Sequence, residues 1–136
     1  MKDSKLNDDQ MQTFIRDGYI VVKTALSDDF HKGIFNQIER LLKSDVPPGN
    51  NILARIPDLQ HVLDDPYVKG ALASIIGDDY FIAPHRALHF NEPHSLGQKL
   101  HKDSFTRRRH HERWFVAFYY PQDTPTEMGP TGVVPG

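Results

Sequence analysis

Apolar residues recur at helical spacing through the first half of the chain and bunch into short extended runs through the second. Asn7, with Gln10 three residues on, reads as a capping box opening a helix, and Met11, Phe14 and Ile15 form its apolar stripe. Gly18 suits the left-handed residue that closes it. Residues 19–22, Tyr-Ile-Val-Val, read as a short strand. Ser27 caps a second helix. Asp28 and Asp29 stand at its positive end, Phe30, Ile34, Ile38, Leu41 and Leu42 fall on one face, and Lys43 stands at its negative end. Residues 45–51 hold Pro47-Pro48-Gly49-Asn50-Asn51 and predict a loop. Residues 57–63 predict a short turn. Asp65-Pro66 then opens a further helix, with Val68, Leu72, Ile75 and Ile76 facing inward and Gly77 at its end.

From Tyr80 the pattern turns extended. Residues 80–83, 86–91, 100–103, 114–120 and 131–134 all read as strands, and the run Trp-Phe-Val-Ala-Phe-Tyr-Tyr at 114–120 is the strongest. In the strand at 86–91, Arg86, Leu88 and Phe90 share a face. Helices followed by strands predict an α+β fold, or an all-β one with a helical cap. At 136 residues the chain is one domain's worth of polypeptide, expected to divide into a mainly helical region over 1–78 and a strand region over 79–136. No internal repeat or low-complexity segment interrupts it.

Composition narrows the functions. A formal net charge of -2 gives no global attraction to nucleic acid or anionic membranes. The absence of cysteine removes disulfides and thiolate metal sites, and a reducing compartment suits such a chain. The polar N-terminus and the lack of a long apolar stretch predict no signal peptide and no membrane span, so the cytoplasm is the expected location. Histidine is abundant: His85, His89, His94 and His101 lie close together, and His110-His111 follow. Such a tract suits metal binding or, alternatively, a wet polar loop.

The chemistry is expected at residues 95–105, centred on His101-Lys102-Asp103. In a strand, His101 and Asp103 project to the same face, an imidazole beside a carboxylate. That is two-thirds of the 2-His-1-carboxylate facial triad that holds non-haem Fe(II). With eight His and 14 Asp in the chain, roughly one His-x-Asp match arises by chance, so the bare motif is weak and its surroundings decide. The dense cationic run Arg107-Arg108-Arg109 suits an anionic substrate at a site entrance, or a solvated loop.

The surroundings form a pattern. Residues 14–22, Phe-Ile-Arg-Asp-Gly-Tyr-Ile-Val-Val, resemble the "F-x-x-D-G-Y/F" opening of the phytanoyl-CoA dioxygenase family. Phe90-Asn91-Glu92-Pro93 with Gly97-Gln98-Lys99-Leu100-His101-Lys102-Asp103 is similar to that family's metal-binding strand, and residues 114–121 to the strand after it. Residues 129–136, Gly-Pro-Thr-Gly-Val-Val-Pro-Gly, resemble its "N-G-x-L-x-V-x-P-G-S/T-H" segment. These blocks occur in the family's order and span about the whole chain.

The resemblance implies N-terminal helices packed on an incomplete double-stranded β-helix, a jelly-roll or cupin-like barrel. It implies Fe(II) bound by His101 and Asp103, with 2-oxoglutarate as cosubstrate and hydroxylation of a small organic substrate, anionic or lipid-like. An Asp rather than a small residue at position 103 favours hydroxylation over halogenation. Leu88, Lys102 and Phe118 are the expected cosubstrate contacts. The family's distal His and its cosubstrate-binding Arg lie beyond the segment matching residues 129–136. Three expectations therefore stand together: a portion of a longer oxygenase, weakly active or inactive by itself; a shortened domain that pairs with a second copy through exposed sheet edges; or a non-catalytic ligand-binding module. A metal-dependent cupin without oxygen chemistry is a further alternative.

Overall fold

The computed structural model describes residues 4–90, 96–101 and 114–136. Four α-helices carry the fold: α1 (Asp8–Asp17), α2 (Asp28–Leu42), α3 (Gln60–Asp64) and α4 (Pro66–Ile76). Single 3₁₀ turns occupy Ile52–Ala54, Pro57–Leu59 and Thr126–Met128.

The helix ends are set by local chemistry. The Asn7 side chain accepts from Gln10 N at 2.9 Å, and Gln10 Oε1 accepts from Asn7 N at 3.0 Å, so the capping box forms in both directions. Gly18 closes α1 at φ 76°, where a Cβ would be strained. Ser27 Oγ accepts from Phe30 N at 3.2 Å and starts α2, and Lys43 ends it. Asp65 caps α4, Pro66 sits at its first position, and Gly77 stands at its end. Between them, Lys69 Nζ lies 2.7 Å from Asp64 Oδ1, joining α3 to α4 and holding that carboxyl below its usual range.

The core gathers Ile34 of α2 with Ile52, Ile56 and Leu59 from the segment that follows and Val62 of α3. Ile34 and Ile56 are each 1% exposed. Leu26, Phe30, Ile38, Leu41, Leu53, Leu88 and Tyr119 pack around this cluster. The predicted stripe of α2 is thus the face that buries, as its periodicity requires. On the other side, residues 4–6 lie across α4. Leu6 N donates to Ser74 Oγ at 3.0 Å, and Gly70 gives Ser4 the room to lie against the helix, since a Cβ there would overlap the Ser4 carbonyl.

The second half corrects the expected fold. Among the described residues there is no β-sheet, so the predicted jelly roll of an α+β fold is not formed. The pairing present is one isolated parallel bridge, Asn51 with Arg86: Ile52 N donates to Arg86 O at 2.9 Å, and Arg86 N donates to Asn50 O at 2.8 Å. Residues 19–22, 80–83, 114–120 and 131–134 are not strands. The described part of 86–91 adds only that bridge, and most of 100–103 lies outside the described residues. After residue 78 the described backbone is largely irregular. The physical reason is that a strand is a property of a pair: β-branched and aromatic composition favours extended backbone, but a ladder needs a neighbour at hydrogen-bonding distance.

Candidate functional site

The His101 side chain sits on an exposed, irregular segment. Its Nδ1 lies 2.8 Å from the backbone oxygen of Lys99. A carbonyl oxygen only accepts, so this contact places a proton on Nδ1. Metal-binding histidines use this same backing bond to fix ring and tautomer. Lys102 and Asp103 lie outside the described residues, as do His94, His110 and His111 and the run Arg107-Arg108-Arg109. His85 and His89 are exposed. Among the described residues no group of three metal-ligating side chains comes together.

The two apolar residues expected at the cosubstrate fall into different settings. Leu88 packs against the Ile34–Ile56 core. Phe118 is 51% exposed, its ring centroid 6.5 Å from that of Tyr120. The strands meant to place them either side of His101 are absent from the described residues.

The structure also builds a polar seam that the sequence did not single out. His31, on the first turn of α2, contacts Tyr119 Oη through Nδ1 at 2.7 Å and Thr24 Oγ1 through Nε2 at 3.0 Å. Phe30 flanks it, with ring centroids 5.7 Å from His31 and 6.0 Å from His61 in edge-on arrangements. Burial pushes the Tyr119 hydroxyl up to about 12. Both ring nitrogens of His31 are engaged, so the seam acts as a clasp joining residues 88 positions apart, and it offers no lone pair to a substrate. The signal available in the sequence was a histidine next to the buried stripe of α2, with a tyrosine inside the most apolar run.

Asp65 is the second buried polar element, 3% exposed. Its Oδ1 accepts from Tyr67 N at 2.9 Å and Val68 N at 3.2 Å, and its Oδ2 accepts from Ala25 N at 2.7 Å. All its work is structural: it starts α4 and pins the segment entering α2. A cleft of about 230 Å³ opens at the end of α2, lined by Leu41, Leu42 and residues 44–48. Among the described residues Asp45 is the one charged group on its walls, so the cleft lacks the convergent polar groups of a binding site. No helix of the described residues is long and apolar enough to cross a membrane.

A scan against protein-family models and searches of curated proteins and of solved structures each returned no match.

Proposed function

We propose that this chain contributes the iron-binding pair His101 and Asp103 to an Fe(II)/2-oxoglutarate-dependent hydroxylase of the phytanoyl-CoA dioxygenase type. The observation that supports the reading is the bond from His101 Nδ1 to Lys99 O, the kind of backing contact that metal-binding histidines use. The ordered sequence blocks around it support the same assignment.

His101 fits an iron ligand. The described residues do not complete a ligand set, so the third ligand is assigned to polypeptide beyond them. When bound, ferrous iron would supply the oxygen chemistry, while protein groups bind and orient. In this reading Leu88, Lys102 and Phe118 would be the residues that contact the cosubstrate. The substrate is a small organic molecule, anionic or lipid-like. A chain without cysteine suits reducing surroundings, and the cytoplasm is the compartment this reading assigns.

Anaerobic titration with Fe(II), followed by 2-oxoglutarate, tests it. The expected result is Fe(II) binding that His101→Ala and Asp103→Ala each weaken by at least 10-fold, with a weak visible charge-transfer band when 2-oxoglutarate is added. Fe(II) binding that both variants leave unchanged would refute the assignment. Binding that depends on both residues but gives no band with 2-oxoglutarate, and no succinate in air, would leave a metal-binding cupin in its place.

A further inference from the structure

We draw no further inference here: the strongest candidate, the surface patch of exposed apolar side chains at Phe115, Val116 and Phe118 beside the His31–Tyr119 contact, carries none because nothing among the described residues shows what covers it.

Discussion

Asp65 offers the sharpest test of how this fold is held. Its carboxylate is 3% exposed and accepts three backbone N–H groups, two at the start of α4 and one from Ala25, 40 residues earlier in the chain. Removing an N-cap costs about 1 kcal/mol. Losing the hydrogen bond from Ala25 N to this carboxylate costs about 1.5–3 kcal/mol, the range for a hydrogen bond to a charged group. Asp65→Ala should then destabilise by roughly 3 kcal/mol, a large share of the 5–15 kcal/mol typical of a domain. Asp65→Ser separates the two roles: its hydroxyl can cap α4 but is too short to reach Ala25. It should cost roughly 2 kcal/mol, with Asp65→Asn similar, since its amide nitrogen would face the Ala25 donor. Urea unfolding reads these differences, and at a slope of about 1.5–2 kcal/mol/M the Ala variant's midpoint should fall by roughly 1.5–2 M. A serine variant as stable as the parent would refute the long-range role of Asp65. An alanine variant costing less than about 1 kcal/mol would refute the argument from burial altogether.

The clasp between His31 and Tyr119 predicts a pH effect. A tyrosine raised from 10.0 to about 12 by burial keeps its proton in the folded chain while the unfolded chain loses it, so this contribution to stability is whole below pH 10 and fades as pH rises toward 12. Tyrosinate absorbance should show one residue ionising last, and Tyr119→Phe should abolish that late phase and cost about 1 kcal/mol; an unchanged titration would dismiss the clasp. Gly70→Ala, which should stabilise a helix interior by up to about 1 kcal/mol, should here destabilise, because the new methyl group overlaps the Ser4 carbonyl. A rise in melting temperature would show that residues 4–6 do not rest on α4. Arg86 buries its Nε without a partner, and its Nη2 reaches only Ile82 O at 3.4 Å. Arg86→Met should therefore raise stability by about 1 kcal/mol, and a loss of more than that in thermal unfolding would mean the guanidinium is better satisfied than its geometry shows.

The helical half of this protein was legible in its sequence because the information is local. The box of Asn7 and Gln10, Ser27 and Asp65-Pro66 as helix starts, Gly18 as a stop and the Phe30–Ile34–Ile38 stripe all act within about four residues, the reach of one helical turn. The same reading placed strands at 19–22, 80–83, 114–120 and 131–134, and none is a strand in the folded chain. Composition can favour extended backbone, but hydrogen bonds to a neighbour decide whether a strand exists, and no residue states from its own position which neighbour will arrive. Only tertiary structure could join His31 to Tyr119, Ala25 to Asp65 and Asn51 to Arg86, since each contact crosses a separation that local rules do not span. The sequence determined where the backbone coils into helices. The packing of distant segments determined that Phe115 meets Phe14 and that Tyr119 meets His31.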